Sequence, residues 1–556
     1  MLTVYFLLFQ ELEYLIPELE QEYKKLFGYE KIVGALNVRV CHGMDGISVT
    51  EEFKESDRER DLPSKVIIGS LRIIDISVET DEGLVLLWRN PDPNSPFAPP
   101  TVLALGDENC PFSMTTICQK LDPFFDKLKK YYMSVLSTKF NVLIWQQMDG
   151  KMRSNVFGHG GSNTLCNCVS CLSQKNEPQT CGDPRKLEDI TRLAIRGQWN
   201  IHKLGKSELY KQCMGNERVP MMNSFEPSSF PPDFLHLLIN LQSWYEKGII
   251  QYLAHTFSSY KDQEPTQTIL KDSITSNDIE KASQLYNQHI REKMNFSRSV
   301  QEKLQNPGIY AKNWFKYGTI EQLFKILPDS KIKTDLRHSL NMFLNMKDIM
   351  SVRDITEEQV QQYSQLSSMW IQHKMENLSF MTCTNILHII AVHVPQTLAH
   401  PDMKNLFEFS TEGYEANNKL SKEALNARSF RGSVSERLIT SMNHRYLVSC
   451  RKYRSILNIP VSSYKCSNCG EKGHRRPGCP MQTVPFSEVD FIDDILDIES
   501  EEEEICVQRQ CCTSSEAEQE ADEVPDTSEP FQSTLVFPSD LKATLLSIMV
   551  TLTFET

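Results

Sequence analysis

Four residues near the C-terminus carry metal-binding chemistry in their spacing alone. Cys466-x2-Cys469-x4-His474-x4-Cys479 offers three thiolates and one imidazole, which close a tetrahedral shell of the structural rather than the catalytic kind. Gly470 and Gly473 permit the tight turns that so short a loop needs around a metal. Lys472, Arg475 and Arg476 surround it with positive charge. A zinc knuckle of this CCHC type binds single strands or exposed bases, and contact with a protein is its other use.

A second set is less self-evident. Cys168-x2-Cys171, with Cys166 beside it, is half a site. Far downstream, His388-x4-His393 places two imidazoles five residues apart, a spacing found at the end of zinc sites built from two cysteines and two histidines. On spacing alone two readings stand. Either the four form one ligand set, or the histidines are ordinary helix residues and the cysteines pair with Cys181 or stay reduced.

Three carboxylates point to different chemistry. Asp45 sits in Gly43-Met44-Asp45-Gly46 after a strand, Asp149 in Met148-Asp149-Gly150 after another, and Glu415 in the helix that follows Phe409-Ser410-Thr411-Glu412-Gly413. Two strand-end aspartates and a helical glutamate are what a two-metal phosphoryl-transfer site requires, with two Mg²⁺ or Mn²⁺ ions ~4 Å apart serving the attacking and the leaving oxygen. Asp-Gly turns are also common for purely structural reasons.

The elements that must position these residues are read from the apolar pattern. The first half is mixed α/β: Ala35 to Val40 and Ile47 to Val49 flank a turn at Asp45-Gly46, Val66 to Val78 alternates like a sheet strand, and Leu84 to Trp88, Thr101 to Leu105 and Phe140 to Trp145 are further strands. Cys118 to Ser137 reads as a helix, with Leu121, Phe124, Phe125, Leu128 and Tyr132 at helical spacing. From Arg185 to Leu387 the pattern is helical, with amphipathic runs at Phe234 to Ala254, Asn277 to Glu292, Ile320 to Leu327, Leu336 to Met346 and Glu357 to Trp370.

With 556 residues, 40% of them hydrophobic, the chain can bury a large core in two or three packed units. Met1 to Gln10 and Leu541 to Phe554 are too short for membrane spans, and the N-terminal stretch lacks the features of a signal peptide. The 16 cysteines, several at two-residue gaps, fit metal binding in a reducing compartment better than disulfides. The net charge of −14 is unevenly spread. Between Ser487 and Pro530 stand 17 Asp and Glu against Arg509 alone, so the rest of the chain is slightly positive, and this acidic tail is expected to be disordered. Lys419 to Arg476 holds 13 Lys and Arg against three Glu, the footprint of a phosphate-contacting surface or of a merely solvated face.

Several motifs together resemble the catalytic core of recombination-activating protein 1, the V(D)J recombinase catalytic subunit, and its Transib-type transposase relatives. They are Cys41-His42-Gly43-Met44-Asp45-Gly46, Pro100-Thr101-Val102-Leu103-Ala104-Leu105-Gly106-Asp107-Glu108, Met148-Asp149-Gly150 followed by Cys168-x2-Cys171, Thr384-Asn385-Ile386-Leu387-His388-x4-His393-Val394-Pro395, and Thr411-Glu412-Gly413-Tyr414-Glu415 leading to Asn418-Lys419-Leu420. Their order is the family order, and the similarity spans roughly residues 35 to 460. A CCHC knuckle after the core matches the transposon-type branch.

The resemblance implies an α/β ribonuclease H-like catalytic domain split by a long, mostly helical zinc-bearing insertion. It divides the chain into a remnant of an upstream region (1–34), the first part of the ribonuclease H-like domain (35–160), the zinc-binding insertion (161–394), the helix with the catalytic glutamate (395–425), a basic C-terminal helical segment (426–464), the zinc knuckle (465–480) and the acidic disordered tail (481–556). It makes Asp45, Asp149 and Glu415 the catalytic triad that binds two Mg²⁺ or Mn²⁺ ions. Cys168, Cys171, His388 and His393 become the ligands of one structural Zn²⁺, and Cys466, Cys469, His474 and Cys479 those of another. Glu412 shares a helix face with Glu415 and ranks below it as a ligand. Asn426-Ala427-Arg428 resembles a segment whose basic residues face DNA.

The implied activity is that of a nuclear DDE-type endonuclease and recombinase. It nicks DNA at a transposon or signal end, after which the freed 3′-hydroxyl attacks the opposite strand, giving a hairpin, or target DNA, giving insertion. A homodimer that joins two DNA ends and a kelch-type second recombinase subunit are the implied partners. Only about forty residues precede Asp45, so the family's DNA-binding and dimerising region is expected to be missing. The alternative is a catalytically silent, domesticated nucleic-acid-binding protein acting through the zinc knuckle and the basic segment.

Overall fold

The computed structural model describes residues 4–48, 65–95, 98–161, 164, 166–174, 176–200, 213–266, 268–270, 274–293, 307–403 and 405–427, with a few positions between 442 and 455. The zinc knuckle ligands Cys466, Cys469, His474 and Cys479, the residue Arg428 and the acidic tail lie outside the described residues.

Strand β1 (Ala35–Ser48) organises the first half. It runs antiparallel to β2 (Lys65–Thr80), which pairs with β3 (Gly83–Arg89) and β4 (Pro100–Leu105). On its other side β1 runs parallel to β6 (Thr138–Gln147), and β6 closes the sheet with the short β5 (Met133–Val135). The strand order is β3-β2-β1-β6-β5, with β4 on β2. Residues two apart in a strand share a face. Val38, Val40 and Met44 therefore enter a core shared with helices α1 (Val4–Phe27) and α2 (Pro111–Lys130), while Cys41 faces the other way, into a small cluster with Phe409 and Tyr414. Helix α1 buries Val4, Leu8, Leu12, Leu15 and Leu19 at helical spacing against this sheet layer.

Three expectations are corrected here. Asp45-Gly46 is not a turn, because β1 continues through it, with Asp45 opposite Ile68 on β2. The helix expected over Cys118 to Ser137 starts earlier and stops earlier. Pro111 occupies its first turn, where a missing N–H costs nothing, and after Lys130 the chain forms a β5–β6 hairpin turning at Leu136, whose φ is 52°. Strand β2 does not alternate in burial, since both of its faces are covered along most of its length.

Asp149 caps α3 (Gly150–Val156), and α4 (Leu187–Asn200) follows the cysteine loop. The helical region comprises α5 (Phe234–Phe257), α6 (Ser276–Lys293), α7 (Pro307–Trp314), α8 (Tyr317–Leu323), α9 (Lys331–Met350) and α10 (Glu357–Asn377). Its core is aromatic, with Tyr245, Tyr286, Trp314, Phe343 and Trp370 fully buried. Their polar atoms are satisfied: Trp370 Nε1 donates to Tyr245 Oη at 3.0 Å, and Trp314 Nε1 to Tyr286 Oη at 2.8 Å. A capping box at Thr356 and Gln359 starts α10. Then come α11 (Asn385–His388), a π-helical turn (Ile389–His393), α12 (Val394–Leu398) and α13 (Glu412–Ala427). Among the described residues no helix is long and apolar enough to cross a membrane.

Candidate active site and metal centre

The parallel pairing of β1 and β6 ends with Gly43 opposite Gln147. Asp45 lies two residues beyond that pair on one strand, and Asp149 two residues beyond it on the chain leaving the other. Both carboxylates therefore stand at the same end of the sheet, at the carboxyl ends of two adjacent parallel strands. Asp149 accepts from the backbone N–H of Met152 at 2.6 Å, which fixes the start of α3.

Helix α13 delivers Glu415 by packing directly on β1. A Cβ on Gly43 would fall 2.4 Å from the Tyr414 ring, so only glycine admits that ring. Tyr414 Oη donates to the carbonyl of Cys41 at 3.0 Å. The Arg72 guanidinium lies over the Tyr414 ring, 4.6 Å from its centre, and donates to the carbonyl of Ser410 at 3.0 Å. One turn beyond Glu415, Asn418 Nδ2 donates to Asp45 Oδ2 at 2.6 Å. Glu412 is engaged elsewhere, with Lys312 Nζ at 2.6 Å from its carboxylate.

Burial and mutual repulsion govern the ionisation of this group. Burial, then the charges of Asp149 and Glu108, raise the Asp45 pKa to about 6. Burial raises Glu415 to about 7, Asp233 and Asp45 adding to the effect against the opposing charge of His236. Glu108 lies against Gly46 and pairs with Lys151.

His236 is the cation of the centre. Burial alone would lower its pKa, but its hydrogen bond to Asp233 and the charges of Asp233, Glu415 and Asp149 raise it to about 9. Its Nδ1 is bonded to Asp233, and its Nε2 lies 3.6 Å from Glu415 Oε1. Asp233 also caps α5 and accepts from Thr411, through the hydroxyl at 2.6 Å and the backbone N–H at 2.9 Å. One buried carboxylate thus ties the first turn of α5 to the entry of α13. Asp233 and His236 were missed in the sequence, although an Asp placed between Pro232 and an apolar run is a helix N-cap signal. Glu108 and Asn418 stand in the motif segments, but nothing in their spacing signals a contact with Gly46 or Asp45.

Cys168, Cys171, His388 and His393 do converge, with ligand atoms all within 4.8 Å of one another. Among the described residues no other group of three or more His, Cys, Asp or Glu side chains, the three carboxylates included, is gathered so closely. Cys168 Sγ is 3.1 Å from His393 Nε2, Cys171 Sγ 3.2 Å from His388 Nε2, and the two Nε2 atoms are 3.1 Å apart. In a regular α-helix residues five apart would diverge by ~140°. The π turn from Ile389 to His393 brings them to one side, as such turns do at functional sites.

The outer contacts suit metal ligands. His388 Nδ1 is 3.0 Å from the Pro178 carbonyl and His393 Nδ1 2.8 Å from Gln396 Oε1, which leaves each Nε2 lone pair for an ion. The Ser170 N–H donates to Cys168 Sγ at 3.3 Å. Buried Arg185 holds the loop, donating to the carbonyls of Cys168 at 2.8 Å and Cys171 at 3.0 Å. No disulfide forms among the described cysteines, and Cys181 is exposed and free. Two thiols and two imidazoles in a closed set are the donors of a structural zinc site.

Residues 252–403 match the family model of the recombination-activation protein 1 (RAG1) ZnH2 domain. No curated protein matches the chain. The ZnH2-like segment contains His388 and His393 but neither cysteine. The other half of the ligand set comes from the loop after α3, and only the fold unites the two. A zinc-binding domain match and a Cys2His2 cluster of suitable geometry together support zinc as a cofactor.

Proposed function

We propose that this chain is a DNA recombinase or transposase catalytic subunit of the DDE type. Asp45, Asp149 and Glu415 are its catalytic carboxylates, on a ribonuclease H-like sheet split by the helical, zinc-bearing region. One observation carries the reading: the register of β1 and β6 puts two aspartates at one sheet end, and Gly43 lets α13 bring a glutamate to them. The strand order, with β1 between antiparallel β2 and parallel β6, suits that fold.

The donor set fits hard divalent cations. It consists of carboxylate oxygens whose burial, then mutual repulsion, raises two of their pKa values, conditions that favour a bound Mg²⁺ or Mn²⁺. Such ions, held by Asp45, Asp149 and Glu415, would supply activation of the attacking oxygen and neutralise charge on the leaving oxygen. The protein's own residues hold this arrangement. Asn418 orients Asp45, the α3 N-terminus orients Asp149, and Tyr414 on Gly43 sets the depth of Glu415. Asp233 fixes the His236 ring, and the His236 Nε2 proton, facing the carboxylates, is placed to be given to a departing oxygen.

The same reading makes DNA ends the substrate, a homodimer the assembly that joins two of them, a kelch-type subunit a candidate partner and the nucleus the location. It places the chain in the transposon-type branch, with the Cys466 to Cys479 knuckle as an accessory grip on DNA. The test is nicking of supercoiled plasmid by the purified full chain with Mn²⁺. Activity abolished by Asp149→Asn and by Glu415→Gln is expected. If the wild-type chain binds DNA but both variants equal it in nicking and in calorimetric Mn²⁺ binding, the silent nucleic-acid binder is the correct description.

A further inference from the structure

A cavity of about 1000 Å³ begins at Gly150 and Lys151, immediately after Asp149, and extends past α3 and the cysteine loop to His393. It sits at the upper end of the range for small-molecule pockets and is open, so it can take an extended ligand. Its lining is cationic: Lys151, Arg153, Arg218 and Lys247 face a single carboxylate, Glu217. Lys151 is paired with Glu108. Among the described residues, Arg218 and Lys247 have no carboxylate partner, whereas Arg153 is engaged by the Ser170 hydroxyl and, at 2.8 Å, by the Pro227 carbonyl.

Two further features point to a ligand. Asn167, 3% exposed, lines the cavity, and its Nδ2 donors have no partner; Arg153 Nε is likewise buried and unsatisfied. Helix α5 is buried along most of its length, yet Asn240, Ser243, Lys247 and Gln251 form a polar stripe at helical spacing that faces the cavity, next to the rings of Trp244 and Phe230. Unpaired cations, uncharged donors and acceptors, and aromatic edges along one groove are what a single nucleic-acid strand uses: phosphates on the cations, base edges on the amides and hydroxyls, and apolar faces against rings.

We infer that this cavity is a channel for a single DNA strand passing the carboxylate centre, with Arg218 and Lys247 contacting phosphates and the polar stripe of α5 facing bases. The inference rests on the nucleic-acid reading above and deepens it, by assigning the flanking strand a path toward the Cys2His2 cluster.

The test compares fluorescein-labelled DNA duplexes, blunt or carrying a single-stranded overhang, by anisotropy with the full chain in Ca²⁺. Arg218 and Lys247 lie on the surface side of the cavity, so the double variant Arg218→Ala/Lys247→Ala is expected to fold, with unchanged zinc content as the check. Overhang-bearing duplex should bind at least tenfold tighter than blunt duplex. The double variant should remove that difference while leaving blunt affinity unchanged, and should reduce the salt slope for overhang DNA by about 1.4, the value for two lost single-strand phosphate contacts. Photo-crosslinks from 4-thiothymidine in the overhang should map to α5 or the cysteine loop. Equal affinity for the two duplexes, an equal loss on both in the variant, or crosslinks elsewhere would overturn the channel. The binding readout is independent of catalysis: a chain that shows the overhang effect but never nicks DNA sinks the nuclease reading and leaves the channel standing.

Discussion

Replacing Gly43 with alanine drives a methyl group into the ring of Tyr414. The new Cβ would lie 2.4, 2.5 and 2.6 Å from three ring atoms, far inside contact distance. The ring has no easy retreat, because its hydroxyl is bonded to the Cys41 carbonyl and Arg72 covers one face. Overpacking of a filled site costs ~1–3 kcal/mol, and with relief blocked on two sides the upper half of that range is expected. The strain can be released only by lifting the start of α13, which moves Glu415 away from Asp45. A shift of about 1 Å in a positioned group costs on the order of 10²-fold in rate. Gly43→Ala should therefore lower the thermal unfolding midpoint modestly, weaken calorimetric Mn²⁺ binding and reduce Mn²⁺-dependent nicking about a hundredfold. Truncating the ring in Gly43→Ala/Tyr414→Leu should recover stability without recovering full Mn²⁺ affinity, since the clash goes but so do the Cys41 and Arg72 contacts. A Gly43→Ala protein with wild-type stability and wild-type Mn²⁺ binding would refute the packing argument.

The raised carboxylate pKa values predict an unusual pH response. Asp45 at about 6 and Glu415 at about 7 bind protons more tightly in the folded state than in the unfolded chain, so in metal-free protein their contribution to stability falls as pH rises from about 4 to 7. His236, raised to about 9, stabilises fully below about 6.5 and loses that contribution as pH rises through 9. Thermal melts across this range should show both declines; Asp45→Asn should gain about 1–2 kcal/mol at pH 8, allowing for partial exposure, and added Mn²⁺ should flatten the first decline. Glu408 is fully buried and meets Arg89 Nε at 2.9 Å, Arg353 Nε at 2.7 Å and Arg39 Nη2 at 3.6 Å. Glu408→Gln leaves Arg353 without a carboxylate, while Arg39 keeps Asp75 and Arg89 keeps Asp354, and should cost ~3 kcal/mol in chemical denaturation, the low end for a broken buried pair. Deleting the residues after Pro480 should tighten non-specific DNA binding at low salt and have little effect at high salt, if the acidic tail screens the basic segment. Unchanged affinity at low salt would count against that screening.

The sheet strands were legible because long apolar runs bounded by polar turns leave little choice, and the helices of the second half because their apolar residues recur at 3.6. Asp45 was misplaced in a turn because Asp-Gly is a turn signal locally, whereas pairing with β2 on one side holds it extended, an effect of residues far away in the sequence. The zinc cluster shows the same limit. Spacing gave two cysteines and two histidines, but nothing local predicts a π turn, and only that turn aims His388 and His393 together. The Glu408 network was invisible for a related reason. Its arginines come from β1, β3 and the loop before α10, and no short pattern relates them.

The region of the Cys2His2 cluster and the three carboxylates are joined through the fold. Two struts join them. At one end α3, capped by Asp149, sends Arg153 into the cysteine loop, where Nη2 bonds Ser170 and also donates to the Pro227 carbonyl at 2.8 Å. At the other, Asp233 at the start of α5 grips Thr411 and so sets where α13 begins, one turn before Glu415. A zinc ion held by Cys168, Cys171, His388 and His393 would fasten the cysteine loop to the turn carrying the two histidines, and thereby fix the loop against which α3 is braced. Losing the metal should consequently be felt at the carboxylates. His393→Ala should release one equivalent of zinc on metal analysis and lower the affinity of the distant Asp45, Asp149 and Glu415 for Mn²⁺, by the 10–100-fold typical of a lost supporting contact. Were Mn²⁺ binding to survive zinc loss unchanged, the two centres would be mechanically independent, and the struts would be no more than packing.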